Sequence, residues 1–228
     1  MQRQAWQREY SRASLVSLGS EPSQAVKDFL KWLRRDQGID IYSMSVLDAG
    51  CGVGKNSLYL ADIGNTVTGI DFADNAINEA RKRVTDDIRD KVVFKVGDLG
   101  DTLPLPDNSM DLIVDSMTTN SLTEKARMHF IQEAGRVLKS GGYYYLRTLA
   151  KEGDKNAKNL LQSAPGSEPD TYILPDVLIE ERVFTKDTIE SLYRSDFKVL
   201  ACEKKSGYQT VGNRTFKRNY WIVYLRRI

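Results

Sequence analysis

The chain has 228 residues, enough for one α/β domain with a full core and rather short for two independent domains. Hydrophobic residues make up 41% and charged residues 28%, and no apolar run approaches the roughly 20 residues that cross a bilayer, so we expect no membrane-spanning segment. Two separated cysteines, a single histidine and an N-terminus without an apolar signal core predict neither a disulfide framework nor a metal centre, and they favour the reducing cytoplasm.

Apolar residues at helical spacing begin the chain. They predict helices over 3–18, where Trp6 and Tyr10 share the apolar side, and over 23–35. Mostly apolar segments then alternate with helical ones, which predicts a doubly wound, mostly parallel α/β sheet with helices on both faces. The predicted strands are 45–49, 66–71, 92–96, 110–115 and 143–149, and the predicted helices between them are 56–62, 74–85 and 123–138.

The last third of the chain departs from this alternation. Residues 151–182 mix Gly and Pro with polar residues, which predicts a long irregular segment that lies over a binding site. A helix over 185–196 and two antiparallel strands at 197–206 and 217–227 follow. From Lys198 onward the chain carries a charge of +7, whereas the remainder carries −5. This basic edge either contacts phosphates or an acidic substrate, or it protects an exposed hairpin from edge-to-edge aggregation.

A glycine-rich turn follows the first predicted strand. The sequence around it reads D-x-G-x-G-x-G, from Asp48 through Gly50 and Gly52 to Gly54, and the next predicted strand ends on Asp71. Glycines let the backbone pass under a ligand, and an acid about 20 residues later can accept from ribose hydroxyls. The third glycine of a dinucleotide fingerprint would fall on position 55, which is Lys55 here. The spacing therefore indicates a nucleoside cofactor and disfavours a nicotinamide dehydrogenase.

This motif resembles the first motif of the class I S-adenosylmethionine-dependent methyltransferases, and matches continue in order downstream. They are Asp71, the turn 97–99, the loop 103–114 and the turn 136–142. The resemblance covers about residues 40 to 150. It implies a seven-stranded sheet of order 3-2-1-4-5-7-6 with strand 7 antiparallel. It also implies one domain made of N-terminal helices or a lid (1–38), a cofactor-binding core (40–150), a substrate-side insertion (151–182) and a final helix and hairpin (183–228).

The resemblance also implies the residues that hold S-adenosyl-L-methionine. Asp48 would order the turn and the methionine ammonium, and the glycine-turn amides would border the methionyl part. Asp71 would accept from the ribose hydroxyls, and Asp98 from the adenine amino group. The implied cofactor-binding set is Asp48, Gly50, Gly52, Gly54, Asp71, Phe72, Asp98 and Leu99.

The sequence says less about the residues that would contact the methyl acceptor. Asp115, after the fourth strand, is the predicted catalytic group that orients or deprotonates the acceptor, or else a strand-end acid that caps the next helix or holds the methionyl end. Ser116 and Asn120 are weaker candidates beside it. Trp6 and Tyr10 form either an aromatic lid or the packing face of a docked helix. The Asn/Asp-Pro-Pro-Tyr/Phe motif of adenine and glutamine methylases is missing, as is the Pro-Cys of cytosine-C5 enzymes, so those targets are disfavoured.

We therefore expect a methyltransferase that acts on a small molecule or on a protein or peptide side chain, with no membrane partner. One alternative is an RNA methylase that uses the basic C-terminal hairpin, although nucleic acid is not the favoured partner. Another is a non-catalytic subunit that binds S-adenosylmethionine without turnover.

Overall fold

A single mixed sheet of seven strands forms the centre of the molecule, in the order β3-β2-β1-β4-β5-β9-β8. The computed structural model describes residues 2–13, 15–16, 18–211 and 214–228. Strands β1 to β5 run parallel, and β9 pairs antiparallel with both β5 and β8. The strands of this sheet are β1 (Ser45–Ala49), β2 (Thr66–Asp71), β3 (Val92–Val96), β4 (Met110–Ser116), β5 (Leu138–Leu149), β8 (Phe197–Val211) and β9 (Arg214–Arg227). Because β6 and β7 form a separate hairpin, this order is the predicted 3-2-1-4-5-7-6, which is confirmed.

Helices cover both faces of the sheet. Side chains of Thr123, Asp154 and Thr185 accept hydrogen bonds from the first-turn amides of three of them and so fix where those helices begin. The helices are α1 (Gln2–Ser11), α2 (Gln24–Asp36), α3 (Lys55–Asp62), α4 (Asp74–Lys82), α5 (Glu124–Val137), α6 (Lys155–Ser163) and α7 (Lys186–Tyr193). Among the described residues, none of these helices combines the length and the apolarity needed to cross a bilayer.

Alternate side chains of each central strand enter opposite cores. Leu47 and Ile113 pack with α5 and α7 on one face, whereas Val46 and Leu112 pack with α2, α3 and α4 on the other. All four side chains are fully buried. A strand covered on both faces carries apolar residues on both sides, and the nearly continuous apolar runs that result made β1 and β4 recognisable in the sequence.

The first helix is shorter than predicted. It ends at Ser11 rather than near residue 18, and positions 14 and 17 lie outside the described residues. The buried carboxylate of Glu9 accepts the amides of Leu15 (2.5 Å) and Val16 (2.9 Å). These bonds turn the chain back on itself, so the apolar residues that extended the helical pattern belong to a loop.

The prediction of an irregular segment over 151–182 was wrong. The segment contains α6 and a hairpin of two strands, β6 (Thr171–Leu174) and β7 (Ile179–Arg182). Asp154 caps α6 through a bond of 2.8 Å from the amide of Ala157, and Ala157 packs against Tyr172 and Leu174 of the hairpin. The segment therefore packs onto the main sheet through a small apolar cluster that includes Leu149 of β5 and Tyr220 of β9. The boundaries of the four predicted segments of the domain stay a prediction.

Candidate active site

The glycine-rich turn and the end of β2 form one hydrogen-bonded unit. The amide of Gly50 donates to the carbonyl of Ile70 (2.8 Å), and the amide of Gly52 donates to Oδ2 of Asp71 (2.9 Å). Gly52 has a φ of +54°, and a Cβ there would lie 2.6 Å from the Tyr10 hydroxyl. A side chain at this position is excluded both by the left-handed backbone and by the closeness of α1.

A cavity of about 330 Å³ opens beside this turn, at the carboxyl ends of β1, β2 and β4. The predicted cofactor residues found in its wall are Gly50, Asp71, Phe72, Asp98 and Leu99, and the predicted lid and acceptor residues are Trp6, Tyr10 and Ser116. Ligands of open α/β sheets bind in this position, outside the carboxyl ends of the strands. Gly52 and Gly54 lie outside this wall: Gly52 lines a second cavity described below, and a Cβ at Gly54 would lie 2.7 Å from the Phe94 ring behind the turn.

Asp71 is the buried acid of this cavity. Its Oδ1 accepts the amide of Ala73 (2.8 Å) and its Oδ2 that of Gly52, which leaves lone pairs on both oxygens for further donors. Burial raises the pKa of Asp71 to about 6, although these amide bonds oppose the shift. A carboxylate of this kind fits a ligand that offers two neighbouring hydroxyls.

Two further features of the wall fit a nucleoside. The exposed carboxylate of Asp98 accepts the amide of Gly100 through Oδ1 (2.8 Å) and lines the cavity beside the buried side chain of Leu99. The buried indole N–H of Trp6 has no hydrogen-bond partner among the described residues. An acceptor group on a bound ligand would satisfy it.

Asp48 lies beneath the turn rather than in a cavity wall. It is buried, and its Oδ2 accepts the Ser57 hydroxyl at 2.5 Å. Burial raises its pKa to about 7, and the nearby charges of Asp71 and Asp115 raise it further against the Ser57 hydrogen bond. Asp48 is therefore tied to α3 through Ser57, and its roles in ordering the turn and toward an ammonium group stay predictions.

Asp115 is fully buried and does not line the cavity. It accepts four hydrogen bonds: the amides of Thr118 (3.0 Å) and Thr119 (3.2 Å), the Thr119 hydroxyl and the Tyr144 hydroxyl (3.0 Å). This geometry supports the alternative interpretation of a strand-end acid that holds the following turn. Asn120 is buried outside the cavity wall as well, whereas Ser116 lies in it.

Helix α1 forms a roof over the cavity. Trp6 and Tyr10 lie one turn apart on its inner face, with ring centroids 5.9 Å apart. The side chain of Gln2 donates to the carbonyls of Ser121 (3.2 Å) and Glu180 (2.6 Å), which joins the roof to the 151–182 segment. Its position fits the predicted lid.

A second cavity, of about 720 Å³, adjoins the first. Four residues lie in both walls, namely Tyr10, Gly50, Ser116 and Met117. The second wall also contains Arg147, Tyr208 and Tyr220, which sequence reasoning did not select. The signal for Arg147 was present, because it is a charged residue at the carboxyl end of an otherwise apolar central strand.

Comparison with known proteins agrees with this geometry. Residues 47–146 match the family model described as a methyltransferase domain. A probable S-adenosylmethionine-dependent methyltransferase of Mycolicibacterium smegmatis is 34% identical over 103 residues, which cover 45% of this chain and 37% of that protein. The 27-O-demethylrifamycin SV methyltransferase of Amycolatopsis mediterranei is 34% identical over 99 residues, 42% of this chain and 35% of that protein. The chain thus covers less than half the length of these relatives.

Solved structures share the whole architecture. A methyltransferase structure from Methanosarcina mazei, described as S-adenosylmethionine-dependent, superposes with a TM-score of 0.75 at 24% identity, over 91% of this chain and 99% of that one. The molecule therefore has the doubly wound α/β fold, with a cavity at the carboxyl ends of its parallel strands. The family match thus identifies residues 47–146 as a methyltransferase domain, and the fold is that of the class I S-adenosylmethionine-dependent methyltransferases.

Proposed function

We propose that the protein transfers a methyl group from S-adenosylmethionine to a small-molecule acceptor. The observation that carries this proposal is the junction of the two cavities at Ser116 and Met117. The first cavity has the groups that a nucleoside requires. The second continues from it past Gly52 of the glycine turn, which would border the methionyl part of the donor, to the acceptor side at Arg147 and Tyr220. A donor and an acceptor placed in these cavities would meet at the carboxyl end of β4.

The residues of the first cavity would hold the donor. Asp71 would accept from the ribose hydroxyls, Asp98 would accept from the adenine amino group, and Trp6 would cover the ligand from α1. When bound, S-adenosylmethionine supplies a methyl group that an acceptor lone pair attacks; the carbon–sulfur bond breaks, S-adenosylhomocysteine leaves, and the acceptor's proton passes to solvent.

Positioning is the contribution that we assign to the protein itself. Holding two reactants in line is worth several kcal/mol. Asp115, with four donors already bound, is engaged in holding the turn that forms the junction. We therefore assign it a structural role at the active site rather than proton abstraction.

The size of the second cavity favours a small acceptor over a macromolecule. Its volume of about 720 Å³ lies in the range of small-molecule pockets. The Amycolatopsis relative is named for the acceptor 27-O-demethylrifamycin SV, which is also a small molecule. A protein or peptide side chain remains the alternative acceptor.

The basic hairpin gives little support to an RNA acceptor. Arg218 is buried with Asp154 and Glu181, at 3.5 Å from each. Lys205 pairs with Glu203 at 2.7 Å. Arg226 and Arg227 lie at the opposite end of β9 from the acceptor cavity. The charges are thus dispersed along the hairpin, where a nucleic-acid site needs them on one surface.

The test is a labelling experiment with methyl-tritiated S-adenosylmethionine and a cell extract, followed by separation of protein, RNA and small molecules. We expect label in the small-molecule fraction. Label that protease removes would instead indicate a protein acceptor, and label that RNase removes would indicate an RNA acceptor. Calorimetric binding of the cofactor without label in any fraction would favour the non-catalytic subunit, and the absence of binding would refute the proposed function itself.

A further inference from the structure

Arg147 lies beside the junction of the two cavities. In the sheet it pairs with Ser116 of β4, and its carbonyl accepts the amide of Met117 at 2.8 Å. The backbone is therefore fixed at the point where donor and acceptor would meet. The Arg147 side chain continues from there into the wall of the second cavity.

The guanidinium of Arg147 stacks on the ring of Tyr220, with 4.2 Å between the guanidinium carbon and the ring centroid. A stacked guanidinium keeps its N–H groups in the plane, where they can bind a planar anion through two parallel hydrogen bonds. Among the described residues, this side chain forms no salt bridge and no hydrogen bond, and the stacking on Tyr220 is its recorded contact. The buried Arg218 nearby differs, because it has two carboxylate partners.

Acidic residues close to Arg147 do not occupy its donors. Asp28 and Glu203 line a separate depression of about 420 Å³, which shares Arg147 and Tyr220 with the second cavity. Glu21 is the acidic residue that lines the second cavity. Its side chain is 88% exposed, and its Oε2 lies 3.9 Å from Nζ of Lys27. Lys55, at the first position of α3, adds a second cation to the same wall. The cavity is therefore more basic than acidic.

Aromatic rings complete the acceptor wall. Tyr220 is 6% exposed and forms a rigid platform under Arg147, whereas Tyr208 on the hairpin is 78% exposed. Tyr10 borders the cavity on the side of the glycine turn. Flat rings on several sides of a cavity favour a flat occupant, since stacking gains contact area at little conformational cost.

We propose that this cavity binds a planar small molecule that carries a carboxylate or an equivalent oxyanion, and that Arg147 is the specificity-determining residue that receives this group. The inference rests on the proposed function, because it assigns the second cavity to the acceptor. It adds the chemical class of that acceptor.

The experiment compares carboxylates with their uncharged counterparts on the full chain saturated with S-adenosylhomocysteine. The probes are 4-hydroxybenzoate against its methyl ester, and 4-hydroxyquinoline-2-carboxylate against its carboxamide. Dissociation constants are measured by calorimetry for the wild type and for Arg147→Gln and Arg147→Lys. Arg226→Gln is the matched control, because Arg226 also stacks on a tyrosine, Tyr143, but at the far end of the sheet.

For the wild type we expect at least one carboxylate to bind about tenfold more tightly than its uncharged partner, as a charge-assisted bidentate contact implies. Arg147→Gln should abolish this preference, Arg147→Lys should retain part of it, and Arg226→Gln should leave it unchanged. Equal affinity within both pairs, a preference that survives in Arg147→Gln, or no carboxylate binding at millimolar concentration would each overturn the inference. Binding of S-adenosylhomocysteine, measured first, separates these results from a failure of the proposed function.

Discussion

Gly52 and Asp71 are joined by a hydrogen bond of 2.9 Å from the glycine amide to the carboxylate, although one lies in the turn after β1 and the other ends β2. The same carboxylate accepts the amide of Ala73. Asp71 therefore holds the turn that would border the methionyl group, and its remaining lone pairs are those that we propose for the ribose. A change at this one residue acts on both parts of the cofactor site.

Asp71→Ala should weaken binding of S-adenosylmethionine by about 1–3 kcal/mol, because the ribose hydroxyls lose their acceptor. Calorimetry gives the dissociation constant directly, and circular dichroism shows whether the fold is retained. Asp87→Ala, an exposed acid in the loop before β3, is the control that should change nothing. An unchanged dissociation constant for Asp71→Ala would refute the ribose assignment.

Asp48→Asn should stabilise the protein at alkaline pH. Burial raises the folded-state pKa of Asp48 to about 7, so the folded protein holds a proton that the unfolded chain releases near pH 4. Its contribution to stability is therefore full below pH 4 and is lost as the pH rises to 7. Asparagine keeps an acceptor for Ser57 without the charge.

The expected gain for Asp48→Asn is about 1–4 kcal/mol in the free energy of unfolding at pH 8, and little at pH 4. Urea unfolding of both proteins at the two pH values measures it. Equal stability of variant and wild type at pH 8 would mean that the Asp48 carboxylate is not strained by its burial.

Alanine variants of two glycines distinguish backbone strain from a steric clash. Gly38 and Gly52 both have positive φ, +66° and +54°, but a Cβ at Gly38 meets no atom within 4 Å, whereas one at Gly52 meets the Tyr10 hydroxyl at 2.6 Å. Each alanine variant should lose about 1–2 kcal/mol of stability from the left-handed backbone. Only Gly52→Ala should also weaken S-adenosylmethionine, since it displaces Tyr10. Equal cofactor affinity in both variants would contradict this contact.

Trp6→Ala tests the roof formed by α1. Removing the indole takes apolar cover from the cavity, and we expect S-adenosylmethionine to bind about 1–3 kcal/mol less tightly. Gln4→Ala, at an exposed position of the same helix, should have no effect. If Trp6→Ala lowers thermal stability but leaves the affinity unchanged, the indole only docks the helix.

Asp115→Asn distinguishes a base from a structural acid. A general base would lose about 10²–10⁴ in turnover when neutralised. We expect instead a lower midpoint of thermal unfolding and nearly unchanged turnover per folded molecule, because Asp115 binds the turn after β4 rather than the acceptor. Turnover is measured with the acceptor found by labelling. A loss of that size without loss of stability would restore the catalytic role.

The fold was largely predictable because its central strands are buried on both faces. An apolar run such as Val46-Leu47, followed by glycines, has few other structural meanings. The 151–182 segment was not recognised, because its helix and hairpin are short and its Gly and Pro residues outweighed the helical spacing of Ala157, Leu160 and Leu161. The cap at Asp154 was the signal that was missed.

The cavity beside the glycine turn could also be predicted, because that turn is one continuous motif in the sequence. The acceptor side could not, because it is assembled from distant parts of the chain. Arg147 acquires its role only through Tyr220, a residue on another strand, and through its register with Ser116. Neither the stacking on Tyr220 nor the register with Ser116 can be predicted from the residues around Arg147 in the sequence.

The hairpin of β8 and β9 extends beyond the rest of the sheet. Strand β9 pairs with β5 from Tyr220 to Arg226, and its first part pairs with β8 alone. A ribbon of only two strands is marginally stable, whereas the five parallel strands that hold the glycine turn are packed between two cores. Local unfolding should therefore begin at Tyr208 and its neighbours and leave the nucleoside site folded. On the proposed function, the Tyr208 side of the acceptor wall would open and re-form for each molecule that enters, while Arg147, Tyr220 and the methyl donor stay in place.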